Sequence, residues 1–257
     1  MSGARHRWLW SLALILGLAF ALRVYRLDAV PLRGDEAFAV RSWAADPRDV
    51  VRDLARVEPH PLGTFLGFWA WKQVAGDSEF AMRALPLLGN LIGVAAMAQL
   101  GRRLLGSARA GLIAAALWAI NPYLIWHAQD VRNYAIWAGL SPLALWLFIR
   151  ALDRGRRGDW LLYIAVEALA LYTFFLEAFF LLGHVLYLLL MRRDRRAVRG
   201  AVLSWALLGL LLVPWFAQIW FLADSGYQGA VGDARPAALL TDFLPTLLIG
   251  AVPPAPW

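Results

Sequence analysis

Apolar runs recur along almost the whole chain, at 8–23, 80–100, 111–126, 131–149, 160–175, 178–191 and 201–223, and they decide what it can fold into. A hydrocarbon core about 30 Å thick is crossed by ~20 apolar residues of helix. On that scale the runs predict an all-α polytopic membrane protein with seven transmembrane helices. The composition agrees: 61% of residues are hydrophobic and 17% charged, with a mean hydropathy of +0.56, so most of the surface must face lipid.

The stretch 160–191 resembles a single run, but as one helix it would extend ~48 Å, well past the membrane core. It must fold back near 175–177. Arginine clusters on both sides, Arg154, Arg156 and Arg157 before it and Arg192, Arg193, Arg195 and Arg196 after it, require the same by the positive-inside rule. That rule also governs "HPLGTFLGFWAWKQVAG", residues 60–76. If this segment crossed, the later arginine-rich loops would lie outside the cytoplasm, and its apolar core, 62–75, would reach only ~21 Å. It is therefore expected at the outer interface as an amphipathic or re-entrant helix. The division that follows is 1–24 for the first span, 25–79 for an outer loop with juxtamembrane helices and a candidate catalytic acid, and 80–223 for spans two to seven. Residues 224–257 form a further outer loop in which "FLPTLLIG" could begin another span. A cleavable signal peptide is the rival for the N-terminus, but the run continues into Val24 and Tyr25 without a polar cleavage region.

With no cysteine, neither disulfides nor thiolate metal sites are available. The net charge of +7 comes from short clusters between apolar runs, not from a stripe that could track nucleic acid, so no nucleic-acid partner is expected. No glycine-rich phosphate loop, HExxH helix or internal repeat of the transporter kind is present.

The most polar stretch is the first outer loop. "ADPRDVVRDLARVEPH" sets Asp46 as an N-cap before Pro47 and predicts a surface-lying amphipathic helix ending at Pro59. "LRGDEAFAVRSW" predicts a shorter helix capped by Asp35. Adjacent carboxylates there need have no catalytic role, because an N-cap and a first turn favour acids by themselves. Their company favours one: His60 in "HPLG", and His127, Asp130 and Arg132 in "NPYLIWHAQDVRNYA", belong to the same membrane face. Glu177 lies at the outer turn of the 160–191 hairpin. Glu167, inside a span, and His184 read as helix–helix hydrogen-bonding residues.

The ordered set of a short first span, an outer-loop "DE" pair, an "HPL" element, "SEFAMRALPLL", "GRRLLG" and "NPYLIWHAQDVRNYA" resembles the C-type membrane glycosyltransferases of the protein O-mannosyltransferase and lipid A aminoarabinose transferase kind, glycosyltransferase family 39. The resemblance implies an integral protein of the plasma membrane, bacterial inner membrane, that moves a sugar from a polyprenyl-phosphate carrier to a protein, glycan or lipid acceptor on the outer face. It implies the outer-loop acid as catalytic residue. The family usually shows two prolines where His60 is followed by Pro61 and Leu62. Its members are also longer, so the chain reads as a truncated enzyme or N-terminal fragment.

Glycosyl transfer to a hydroxyl with inversion needs a base, and Asp35 can supply one, with Glu36 orienting the loop or the acceptor. The phosphate leaving group needs positive charge, from Arg132, from His60, or from a divalent metal, Mg or Mn, held by Asp35 and Asp130. Glu177 is a further candidate for substrate binding. The competing readings are a non-catalytic lipid-phosphate-binding or transport protein using the same cleft, and an inactive remnant.

Overall fold

The computed structural model describes residues 2–52, 58–192 and 194–225, and every regular element in them is helical. In chain order these are α1 (Ser2–Val24), α2 (Gly34–Phe38) running into a π-helical turn (Ala39–Trp43), α3 (Pro47–Arg52), α4 (Leu62–Ala75), α5 (Glu79–Leu104), α6 (Ala108–Ile120), α7 (Pro122–Ala128), α8 (Tyr134–Arg154), α9 (Arg157–Thr173), α10 (Glu177–Met191), α11 (Arg195–Leu211) and α12 (Val213–Asp224).

Three helices, α1, α5 and α8, are long and apolar enough to cross a membrane, and the number rises to five if the bent pairs α6–α7 and α11–α12 each count as one span. α10, at 15 residues, is apolar but short. Leucines and phenylalanines coat the outside of the bundle, with Leu14 74%, Phe179 68% and Leu210 69% exposed. Water would penalise such a coat heavily, whereas lipid solvates it, so the chain is an integral membrane protein.

The centre is the α5–α8 pair: 56% of the apolar window of each is buried, against 17% in α1. The two helices touch backbone to backbone at Gly139, where a Cβ would lie 1.9 Å from the Gly89 carbonyl oxygen. Only glycine permits that approach, the usual route to tight packing in lipid.

The expected third span is broken at Asn121, where α6 and α7 meet at 59°. Pro122 cannot donate into the preceding turn, and Asn121 Oδ1 instead accepts from the Leu124 N–H at 2.9 Å to start α7. The fully buried Arg23 guanidinium meets the α6 carbonyls left open, donating to Ala119 at 2.9 Å and Trp118 at 3.2 Å.

The sequence places Asp35 at the cap of its helix, but Arg33 is the cap and Asp35 falls in the first turn. The reason is Glu36, whose Oε2 accepts from the Arg33 N–H at 3.1 Å and fixes the start two residues earlier. α3 does begin at Pro47, with Asp46 Oδ1 accepting from the Arg48 N–H at 2.8 Å. The remainder of that expected helix, residues 53–57, and the "FLPTLLIG" segment lie outside the described residues.

Candidate functional site

One end of the bundle gathers the α1–α5 connection, the α7–α8 turn, the α9–α10 turn and α12. Their centre is an aromatic cluster around the fully buried Trp43, whose ring lies 5.0 Å from His60, 5.5 Å from Phe65 and 6.0 Å from Phe68. Trp43 reaches that position because the π-helical turn widens the end of α2 and carries its side chain inward.

Asp35 and Glu36 have opposite fates one residue apart. Successive residues on a helix point about 100° apart, so one of two adjacent acids can turn into the core while the other stays in water. Glu36 is 0% exposed. Its Oε1 and Oε2 accept from Arg83 Nε and Nη2, both at 2.8 Å, and Oε1 also accepts from the Val131 N–H at 3.1 Å. Arg83, one turn into α5, spends its remaining donors on the carbonyls of Leu27 and Val30, each at 2.8 Å. This buried fork ties α5, the α1–α2 connection, α2 and the α7–α8 turn to one another. Burial alone would raise the Glu36 carboxyl, but the hydrogen bonds and charge of Arg83, with the Arg33 and Val131 N–H groups, hold it below its ordinary value. Asp35, by contrast, is exposed.

Asp130 sits beside this latch and is 8% exposed. Burial first, then the Glu36 charge, with a smaller push from Asp35, outweighs Arg33 and Arg132 and raises its carboxyl to about 6. Arg33 bridges the two acids, 3.5 Å from Glu36 Oε2 and 3.9 Å from Asp130 Oδ1.

Arg132 is half-buried and lies over the Trp43 ring at 4.5 Å and the Tyr134 ring at 5.6 Å. Among the described residues, no carboxylate forms an ion pair with it, and its one side-chain hydrogen bond is to the Tyr134 hydroxyl at 3.4 Å. A guanidinium held by aromatic faces keeps most of its donors for an incoming oxyanion. His60, 8% exposed, is hydrogen-bonded through Nδ1 to Glu58 and stacks on Phe174, with ring centroids 6.0 Å apart. Its backbone carbonyl accepts from Gln218 at 2.8 Å, fastening α12 over the segment.

Glu177 is set apart from this group. It is 0% exposed, with Oε2 accepting from Trp137 Nε1 at 2.6 Å, so it lies behind the aromatic wall of Phe174 and Trp137 instead of on its surface.

No group of three or more His, Asp or Glu side chains gathers at metal-ligating spacing among the described residues. A divalent ion between Asp35 and Asp130 would therefore take its other ligands from phosphate and water, a manner that suits Mg.

Sequence reasoning did not single out Arg83 or Arg33, and it took Trp43 only as an apolar anchor of the short Asp35 helix. The signal for Arg83 was present: a lone guanidinium inside an apolar helix must find an acid or carbonyls to satisfy it.

Residues 59–220 match the family model described as dolichyl-phosphate-mannose-protein mannosyltransferase. The match includes His60, Arg83, Asp130, Arg132 and Glu177 and stops short of Asp35 and Glu36. A comparison with curated proteins found no match.

Proposed function

Since the chain belongs to the dolichyl-phosphate-mannose-protein mannosyltransferase family of C-type membrane glycosyltransferases, we propose that it transfers a sugar from a polyprenyl-phosphate carrier to an acceptor hydroxyl, at the end of the bundle that carries Asp35. The observation that supports this most strongly is the division of labour around Trp43. An exposed carboxylate stands on a helix clamped by the Glu36–Arg83 fork, at the same end of the bundle as an arginine that forms no ion pair among the described residues, and the charges of both reach Asp130.

In the proposed reaction the acceptor oxygen attacks the anomeric carbon, its proton passes to the Asp35 carboxylate, and the bond from that carbon to the phosphate oxygen breaks. The electron pair leaves with the carrier phosphate, whose growing negative charge falls to Arg132. Its planar fork can meet two phosphate oxygens at once. Glu36 is a positioning residue, because both its oxygens are occupied inside the fold. His60, paired with Glu58 and packed on Trp43, is the second candidate to meet the phosphate. A divalent ion on Asp35 and Asp130 would supply further positive charge to the leaving phosphate.

On this reading the seven apolar runs of the sequence all cross, α9 and α10 as a tight hairpin, and the Asp35 end faces away from the cytoplasm. The acid belongs at that end because carrier phosphate and acceptor meet at headgroup depth, whereas deeper in the bilayer a charge is costly and lacks water.

The test is Asp35→Asn in the full-length protein, with transfer followed from a radiolabelled polyprenyl-phosphate sugar. Loss of a general base removes ~10²–10⁴ in rate. Transfer within a few-fold of the unaltered protein would remove Asp35 from the chemistry.

A further inference from the structure

The opposite end of the α5–α8 pair holds a cavity of about 340 Å³, lined by Arg102, Arg103, Trp146, Arg150, Asp153 and Arg154 among others. From Arg83, at the Asp35 end of α5, to Arg102, in the cavity wall, the helix runs 19 residues, ~29 Å, so the two sites lie far apart. They lie at opposite faces of the membrane, and nothing in the transfer reaction uses the second one.

Its charges do not balance. Asp153 accepts from Arg103 through both oxygens at 2.9 Å and also pairs with Arg192. Asp159 lies 2.7 Å from Arg150 Nε and 4.0 Å from Arg154 Nη1. Arg102 has the neutral Gln99 amide at 2.9 Å and the Trp8 ring at 4.9 Å. Four guanidinium groups thus share two carboxylates, and among the described residues Arg102 pairs with neither. The ion pairs brace α5, α8, α9 and the end of α10 to each other. Arg102 and Arg154 contribute least to that bracing and leave most of their donors to the cavity. Trp146 and Ile149, deeper along α8, give it an apolar inner wall.

A surplus of positive charge on this face follows from topology alone, because basic loops stay in the cytoplasm. Topology does not require that guanidinium groups surround a hollow, nor that its inner wall be apolar. A polar mouth of arginines over an apolar floor, at the level where helices leave the membrane, has the chemistry of a phosphate-headgroup site.

We propose that this cavity binds a phosphate group, supplied by the headgroup of an anionic phospholipid whose glycerol and first methylenes lie against Trp146 and Ile149. The bound lipid bridges α5 and α8 at the end away from Asp35. A free phosphate ester offers the same charge without the apolar portion and is the alternative source.

The experiment uses the full chain purified in detergent and titrated separately with short-chain phosphatidylglycerol, short-chain phosphatidylcholine and inorganic phosphate, binding being read by native mass spectrometry. Two double variants accompany it. Arg102→Gln with Arg154→Gln removes cavity charge while leaving the primary partners of Asp153 and Asp159 in place. Arg195→Gln with Arg199→Gln removes equal charge from the exposed face of α11 nearby. Phosphatidylglycerol should bind in preference to phosphatidylcholine. The cavity variant should weaken it roughly 30-fold, the combined effect of two arginines near an anionic surface, and the α11 variant should change it little. Inorganic phosphate that binds as tightly as the lipid, with the same dependence on Arg102 and Arg154, would support the phosphate site and transfer it to a soluble ligand. Equal losses in both variants, or no preference for the anionic lipid, would overturn the proposal and reduce the arginines to orientation signals.

Discussion

Replacing Glu36 by Gln separates the two adjacent acids most sharply. The unaltered carboxylate is fully buried and takes two charge-assisted bonds from Arg83 and further bonds from the Arg33 and Val131 N–H groups. A glutamine in the same place offers one acceptor oxygen, and its NH₂ would point at donors. At least one N–H would lose its partner, and the Arg83 charge would stay buried against carbonyls alone. Removing one member of a buried ion pair costs about 3–5 kcal/mol, and the surviving amide acceptor recovers part of it, leaving ~2–4 kcal/mol. For a chain of this size that corresponds to a fall in melting temperature of roughly 5–15 °C. Asp35→Asn, at an exposed first-turn position, should cost about 0.5 kcal/mol through the helix dipole alone. Thermal denaturation in detergent, followed by size-exclusion fluorescence, measures both. Melting of Glu36→Gln within a degree or so of the unaltered protein would show that the fork does not hold the loop, and the positioning role would go with it.

Arg132→Lys retains the charge but loses the fork, so the KM for the carrier-linked sugar should rise about tenfold while the melting temperature holds; an unchanged KM would mean that phosphate is met elsewhere. Burial raises the Asp130 carboxyl from its ordinary 3.8 to about 6 in the folded protein, so its contribution to stability is present below pH 3.8 and lost as pH rises through about 6. Asp130→Asn should therefore melt higher than the unaltered protein above that range and show no such advantage in acid, whereas parallel melting curves at every pH would refute the burial argument. If Asp35 and Asp130 share a divalent ion with the carrier phosphate, carrier binding should weaken on chelation and recover with added Mg or Mn, and binding indifferent to chelator would leave Arg132 and His60 as the phosphate's partners. Reporters fused after Ala75 and Glu177 should mark one face, and those after Gly106, Gly155 and Ala197 the other; a reporter after Ala75 on the latter face would make α4 a crossing helix.

The helical class and the positions of the helices were legible because lipid solvation imposes long apolar runs and leaves arginines at their ends. The turn between α9 and α10 could be placed from length and charge alone, since no single helix from 160 to 191 fits a bilayer. The break at Asn121 was harder to see. Asn-Pro is a local stop signal, but the apolar pattern runs straight through it, and the break is completed by Arg23, a residue of a different helix. At the site, sequence could name the acids, His60 and Arg132 but could not divide their roles. Whether Asp35 or Glu36 turns inward depends on Arg83, 47 positions further along the chain. No local rule reports a contact of that span.

Two arginines at this end of the bundle show why such a division can support chemistry. Arg83 is 3% exposed and has given its donors to Glu36 and backbone carbonyls, so it can offer nothing to a ligand without releasing the loop. Arg132 is held by ring faces, which attract the cation but accept few of its hydrogen bonds. An arriving phosphate therefore competes with weak contacts at Arg132 and with strong ones at Arg83. On the proposed reaction the consequence is directional: ligand binding would draw on Arg132 while the Glu36–Arg83 fork keeps the Asp35 helix in place, so Asp35 would stay aligned as charge develops on the leaving group. Preorganisation of that kind places the cost of ordering the loop in folding instead of in the transition state. It also explains why burial of Glu36, expensive in itself, is tolerated one residue from an acid that has to remain in water.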